Sequence, residues 1–364
     1  MSHRSALSFS VVVVVALGVG CSGDDASSTS SDSATTSATS SPSSGEGTTS
    51  STGDDSTATT GDAPTSTDAT TTSGSAGTET DATSTSDSAT TGGSDSDTGV
   101  DPLECAAADP AWIFCDDFES GAPLVADGRY FEYGDDDGDF AVVDGAGFGG
   151  SAGMRAHFEA TEVDAGSLKL GFGRNPNAYM NRGVRDDEDF REIWYRMYLR
   201  SESGWTGDPA KLSRATVFTS ADDWSQAMIA HLWGDGAEHL LLDPVSCVDG
   251  DQVICQGYND FGNMKWLGFA AGPTPVFSTA LSDQWFCVEA HVRLNDPGEA
   301  NGVHEFWIDG VLEARREDLD FVGGYTDYAL NAVFFENYWN DGAVQEQSRD
   351  FDNIIISTAP IGCL

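Results

Sequence analysis

"WFCVEAHVRLNDPGEANGVHEFWIDGVLEA", residues 285–314, alternates in polarity along two stretches and reverses on an Asp-Gly pair. In the first stretch Val288, Ala290, Val292 and Leu294 fall on one side of an extended chain, and Glu289, His291, Arg293 and Asn295 on the other. A period of two is what a strand with one buried face requires. In the second, "HEFWIDGVLEA" places Asp309-Gly310 between two alternating runs, and Asp-Gly supplies the positive φ values of a two-residue hairpin turn. The same pattern extends outward in both directions. Strands are predicted at 112–119, 140–144, 153–160, 166–172, 191–200, 226–233, 239–243, 265–269, 285–295, 303–309, 311–315, 329–338 and 350–357, with Gly, Asp, Asn and Pro between them and no long amphipathic helix. So many short strands in about 250 residues predict an all-β, two-sheet antiparallel sandwich.

The first hundred residues follow another logic. "MSHRSALSFSVVVVVALGVGC" has one early cation, Arg4, an apolar run from Val11 to Val19 and small residues before Cys21, which is the pattern of an export signal at residues 1–20. The run is too short to span a bilayer comfortably. It resembles a bacterial lipoprotein signal, with Leu17 one place further from the cysteine than is usual; that resemblance implies lipidation of Cys21 and anchoring to the cell envelope, at the outer membrane or cell surface. An ordinary secretory signal is the alternative, and either one exports the chain. From Ser22 to Thr98 there is no Lys, Arg, aromatic, Leu or Ile, so residues 21–100 cannot build a core and are expected to be a disordered tether. The foldable part is 101–364.

That part carries 47 acidic against 16 basic residues, a net charge of −31. Nucleic acid is therefore excluded as a partner, since phosphate binding needs a cationic footprint. Contact with a membrane is expected only through the lipid anchor, and the chain is expected to be a monomer. Beyond Cys21 there are six cysteines, an even number suited to an oxidising compartment. The preferred pairing is Cys105–Cys115, Cys247–Cys255 and Cys287–Cys363, one of fifteen possible; metal ligation is the weaker reading, because no CxxC or clustered Cys/His spacing occurs.

"FCDDFESG", "WYRMYLRSESGW", "WFCVEAHVRLNDPGEANGVHEFWIDG" and "FDNIIIST", in that order, resemble concanavalin A-like jelly-roll proteins of the polysaccharide-lyase-like branch, the group of glucuronan lyases, some alginate lyases and fungal cellulose-induced proteins. The resemblance spans roughly residues 112–358 and implies a jelly-roll sandwich acting on a polysaccharide.

Strand faces nominate the residues. In "REIWYRMYLR" Trp194, Arg196, Tyr198 and Arg200 share a side. They suit a sugar surface, where rings stack on pyranose faces and guanidinium forks pair with uronate carboxylates, and equally an outer face of cation–π pairs. In "QAMIAHLW" His231 shares a side with Trp233. Jelly-roll lyases commonly carry a histidine on a strand after the one with an arginine, and the order Arg196 then His231 resembles that arrangement; Ile-Ala-His replaces their Gln-Ile-His. Glu289, His291 and Arg293 are expected to form mutually satisfied pairs on an exposed sheet. In "ALNAVFFENYWN", residues 329–340, Glu336, Asn337 and Tyr338 follow one another, so this strand is expected to emerge at a groove, with Asn337, Tyr338 and Trp339 at its rim. The Tyr-x-Lys-x-Gly pattern of the lyases is absent.

Two further chemistries were weighed. Asp117 and Glu119 near the first strand and Asp352 in the last offer hard oxygen ligands for a structural Ca²⁺, which related sandwiches hold where those strands meet; solvated terminal carboxylates are the alternative. No organic cofactor is expected, because there is no phosphate loop, HExxH or GxSxG, and the paired-carboxylate strand motif of jelly-roll glucanases is missing. The expected function is β-elimination of a uronic-acid-containing polysaccharide, with Arg196 and Asn337 stabilising charge, His231 as base, Tyr338 as acid, and Trp194, Tyr198, Arg200, Trp233 and Trp339 holding the substrate. A non-catalytic carbohydrate-binding or adhesion module is the alternative.

Overall fold

The period-two stretches are strands, and their apolar sides face one another. The computed structural model describes residues 104–364; the export signal at 1–20, the lipidation site Cys21 and the tether at 21–100 lie outside the described residues. In chain order the strands begin with β1 (Trp112–Asp116), β2 (Glu132–Gly134), β3 (Phe140–Val143), β4 (Gly153–Phe158), β5 (Asp164–Gly171), β6 (Glu192–Ser201), β7 (Lys211–Phe218), β8 (Gln226–Gly234) and β9 (Leu240–Ser246). They continue with β10 (Val248–Asp249), β11 (Gln252–Val253), β12 (Lys265–Trp266), β13 (Ala270–Ala271), β14 (Trp285–Arg293), β15 (Gly302–Ile308), β16 (Val311–Leu319), β17 (Ala332–Tyr338) and β18 (Gln347–Ser357).

Sixteen of them form two eight-stranded sheets, here termed the terminal sheet and the groove sheet, and β10 and β11 pair as a separate two-stranded sheet. The terminal sheet runs β16-β15-β14-β6-β18-β4-β3, with β1 paired to the end of β18; the groove sheet runs β12-β9-β8-β7-β17-β5-β2, with β13 paired to β9. Their strand pairs are antiparallel, and the architecture is the all-β jelly-roll sandwich expected from the sequence. Ile193, Tyr195, Met197 and Leu199 of β6 pack with Val288, Ala290 and Val292 of β14 inside the sandwich, facing Ala215, Val217, Met228, Ala230, Leu232, Val333 and Phe335 of the other sheet. Full burial of each larger side chain contributes about 1.5–3 kcal/mol. The hairpin between β15 and β16 turns on Asp309 (φ 50°) and Gly310 (φ 77°), the two positive angles its sequence required.

Cys105–Cys115, Cys247–Cys255 and Cys287–Cys363 are disulfide-bonded, which is the preferred pairing. Five strands lie outside the predicted segments, β2, β7, β10, β11 and β13, and β7 is the one that matters for the site. β7, "KLSRATVF", lies at the centre of the groove sheet between β8 and β17. Its register shifts between Lys211 and Ser213, so a bulge interrupts the alternation by which strands are read.

Burial pushes three carboxyls upward, Asp208 and Asp352 to about 7 and Asp243 to about 6, from an ordinary 3.8. A carboxyl raised on folding binds its proton more tightly in the folded state, so its contribution to stability is complete below about pH 4 and is lost as pH rises to about 7. The melting temperature followed by circular dichroism is therefore expected to fall between about pH 5 and about pH 8. A flat or rising profile would contradict the burial of these groups.

Candidate functional site

The outer faces of the two sheets have opposite fates. On the terminal sheet, Arg196 is 1% exposed and its guanidinium is enclosed by both ends of the domain. Nη1 donates to Glu104 Oε1 at 3.0 Å and to the Gly362 carbonyl at 3.1 Å, while Nη2 donates to the Asn353 carbonyl at 3.2 Å and to Glu104 Oε2. Tyr198 stacks on Phe148 with centroids 4.2 Å apart, and its hydroxyl accepts the Leu364 N–H at 2.6 Å. Arg200 pairs with Asp350 at 2.7 Å and lies 4.8 Å from the Trp285 ring. Trp194 stacks flat on His291 at 4.2 Å. On the proposed sugar surface of β6, terminal segments thus cover Arg196 and Tyr198, while Arg200 is engaged by Asp350 and Trp285 and Trp194 by His291, so these four side chains serve the packing of the sheet.

The pairs expected along β14 run elsewhere too. Glu289 accepts the Ile361 and Gly362 N–H groups, His291 lies between Glu305 and Glu192 at 2.7 and 2.9 Å, and Arg293 donates to the Asn301 carbonyl.

The calcium ligands do not converge. Asp117 accepts the Cys105 and Glu119 N–H groups, Glu119 accepts that of Ala152, and Asp352 accepts those of Phe148 and Asn353 together with the Ser151 hydroxyl. Each carboxylate is committed to backbone donors, and among the described residues no group of three or more His, Cys, Asp or Glu is placed to hold a metal ion.

The outer face of the groove sheet is covered along one row and leaves a cavity along the next. Across it, register aligns Asp243, His231, Arg214, Phe334, Lys169 and Glu132 in one row. The next row holds Trp233, Lys211, Tyr338 and Asp164. The β7 bulge carries out this alignment: it turns Lys211 to the same side as Arg214 although three residues separate them in sequence. Lys211 Nζ sits 3.9 Å from the centroid of the Tyr338 ring, and both line a cavity of about 410 Å³ with Trp233, Asn259, Phe261 and Asn340. Burial depresses the Lys211 ammonium below the ordinary lysine value, against the pull of Glu336.

Arg214 is fully buried in the adjacent row. Its Nε donates to Glu336 Oε2 at 2.9 Å and its Nη2 to Glu336 Oε1; Nη1 donates to Asn259 Oδ1 at 2.9 Å and Nη2 also to the Tyr258 hydroxyl. Tyr258 in turn donates to Glu336 Oε1 at 3.2 Å. Burial works against both charges, but each partner outweighs it: Arg214 is held above its ordinary value and Glu336 below.

His231 stays on this face but beneath it, 1% exposed, with Trp233 at 3.8 Å and Trp266 at 6.0 Å. Its Nδ1 donates to the Asp243 carbonyl at 3.0 Å; burial, then the Arg214 charge, hold the ring neutral well below its usual range. Asn337 points the other way, into the sandwich, where it accepts from Arg349 at 2.7 Å and donates to the Gly166 carbonyl at 3.1 Å. Trp339 is buried against Phe158 and Trp205. Neither lines the cavity of Lys211 and Tyr338.

His231, Trp233 and Tyr338 therefore share one face, and Arg196, placed on the opposite sheet, does not join them. Lys169, Lys211, Arg214, Tyr258, Asn259 and Phe261 belong to the site and were missed. The available signal was "QGYNDFG", residues 256–262, an aromatic loop just after a disulfide cysteine.

No family model matches the sequence, and no curated protein matches it. Similar solved structures include an alginate lyase from Chlorella virus, 14% identical over 62% of this chain and 90% of that one, TM-score 0.44. The endo-β-1,4-glucuronan lyase of the fungus Trichoderma reesei is 11% identical over 69% and 92%, TM-score 0.41. The marine PL-14 alginate lyase of Aplysia kurodai is 12% identical over 68% and 99%, TM-score 0.45. Likeness of this degree concerns the sandwich and does not extend to the reaction.

Removing Arg214 as Arg214→Met strands a buried carboxylate and is expected to cost about 3–5 kcal/mol in urea denaturation. Arg214→Met with Glu336→Leu should recover most of that loss. A single variant as stable as the parent would show that the pair is not buried as described.

Proposed function

We propose that this chain acts on a uronic-acid-containing polysaccharide by β-elimination, in the groove-sheet cavity. The observation that carries the reading is an ammonium 3.9 Å from the centroid of a phenol ring, Lys211 over Tyr338, in one cavity beside the indole of Trp233. Elimination removes the proton α to the carboxylate, at C5, and expels the oxygen at C4, leaving a C4=C5 double bond. Lys211 offsets the negative charge that develops on the carboxylate as the C–H bond breaks. Tyr338 Oη accepts the C5 proton as it gives its own proton to the departing oxygen, so that the hydroxyl begins and ends the cycle in the same state. Trp233 and Phe261 supply rings for stacking against sugar faces. His231 is a packing residue in this reading, since Trp233 lies between it and the cavity.

A second reading has a specific observation behind it. Arg214 is fully engaged by internal partners and His231 lies outside the cavity, which leaves Tyr338 without a second proton-transfer group; binding without cleavage would follow. In either case the protein is read as exported and anchored through Cys21. Incorporation of a fatty-acid analogue into the chain, lost in Cys21→Ala, is the expected outcome for a lipoprotein; no label in the parent would exclude it.

The functional test is incubation of the chain with glucuronan, alginate, pectin and neutral glucans, following ultraviolet absorbance of the unsaturated product and, separately, binding. Tyr338→Phe and Lys211→Met are expected to lose product by about a hundredfold or more, whereas His231→Gln retains it if folded. Activity should decline as pH rises through a value below the ordinary lysine pKa of 10.5, and Lys211→Arg should carry that limb upward. Uronan binding with no double bond formed would favour the second reading, and full activity in Tyr338→Phe would remove the first.

A further inference from the structure

The Arg214 fork has two usable edges. Glu336 takes one of them, Nε and Nη2, in a bidentate pair. The other edge, Nη1 and Nη2, meets two neutral oxygens from consecutive residues of one loop, Asn259 Oδ1 and Tyr258 Oη. Two oxygens against two N–H donors is the arrangement a carboxylate makes with a guanidinium end-on. The loop therefore occupies, with uncharged atoms, the position where an anionic ligand would pair most strongly.

The loop is built to be fixed at its ends and loosely held at its tip. Cys255 is tied to Cys247, and Met264 is buried before the chain enters β12. Between them Tyr258 is 38% and Phe261 59% exposed, and Asn259 stands at φ 56°, in the left-handed region that asparagine tolerates. Besides Arg214 and Glu336, the tip is tied to the rest of the domain by the Gly257 N–H to Ser225 Oγ at 3.0 Å and by the edge-on meeting of Tyr258 with Trp224 at 5.4 Å, while Asp260 Oδ2 accepts the Gln256 N–H at 2.9 Å and the Asn263 amide at 2.8 Å within the loop itself. Asn259 also lines the cavity of Lys211 and Tyr338, so withdrawing it would join the free edge of Arg214 to that cavity.

We propose that Tyr258 and Asn259 form a carboxylate-mimicking latch over Arg214, and that the ligand which opens it is a sugar carboxylate. Opening gives the groove a second cationic subsite beside Lys211 and makes its recognition selective for uronates over neutral sugars. A charged carboxylate holds the Arg214 edge more strongly than two neutral oxygens do, which supplies the driving force for exchange. Specificity follows because a neutral sugar cannot displace the latch. The inference rests on the reading of the ligand as a uronic acid, but not on cleavage.

The test is calorimetric titration of the folded chain with glucuronate, mannuronate and, as the neutral control, glucose. In Asn259→Ala, where one mimic oxygen is gone, uronate affinity is expected to rise several-fold with no change toward glucose. In Asn259→Asp, where the loop carries its own carboxylate, uronate affinity is expected to fall by about tenfold or more, since the latch then matches its competitor. Hydrogen exchange of residues 256–263 should speed up on adding uronate to the parent. Uronate affinity that is equal in all three proteins, with no change in exchange, overturns the latch while leaving the proposed elimination standing; uronate binding to none of them overturns both. Uronan cleavage can fail with the latch intact, so the two readings are separable.

Discussion

A guanidinium withdrawn from water must find an acceptor for its N–H groups or destabilise the fold that buries it, and Arg214 sits at the centre of the groove sheet under that constraint. Glu336, one strand away on β17, supplies a charge and two oxygens. The rest has to come from outside the sheet, and it comes from Tyr258 and Asn259. The position of the 255–264 loop, the limits of the cavity beside it and the separation of Lys211 from Lys169 all follow from covering this one side chain. Lys169 is in turn paired with Glu132 and lies 5.2 Å from the Trp224 ring, so Lys211, among the described residues, is the cation of this face without a salt-bridge partner.

The terminal sheet solves the same problem differently. Arg196 occupies the outer side of β6 as Arg214 does that of β7, but its acceptors are Glu104 and the Gly362 and Asn353 carbonyls. Disulfides close on either side of that knot, Cys105–Cys115 at the entry to the domain and Cys287–Cys363 at its end. A loop tip with exposed aromatic residues covers one arginine, and cross-linked chain ends cover the other. Only the first cover can be exchanged locally, since the second would have to release segments held by covalent bonds and by β18, whose strand is buried throughout. The proposed ligand chemistry is accordingly placed on the groove sheet.

Much of the fold could be read directly. Val288, Ala290 and Val292 against Glu289, His291 and Arg293 announced a strand with two unlike faces, and Asp309-Gly310 announced its neighbour's turn. His231 and Trp233 share a side of β8 in the sequence pattern, and register adds Tyr338 to the Trp233 row. β7 was lost because its bulge breaks the alternation, and with it went Lys211 and Arg214. Asn337 and Trp339 were placed outward by their polarity and size, yet Asn337 is drawn inward by the buried Arg349, and the Trp339 indole fills the space between Phe158 and Trp205.

The sequence by itself determined the all-β sandwich and the acidic character of the domain, because alternation, turn residues and charge are local properties; the cysteine pairing was a preference among fifteen until the structure closed the three bonds. Tertiary structure alone decided which outer face remains open. Arg196 and Arg214 look alike along their own strands; what separates them is Glu104, 92 residues from the first, and Tyr258, 44 residues from the second. A strand's period states that a side chain leaves the core, but what then covers it comes from distant parts of the chain, and no local pattern encodes that.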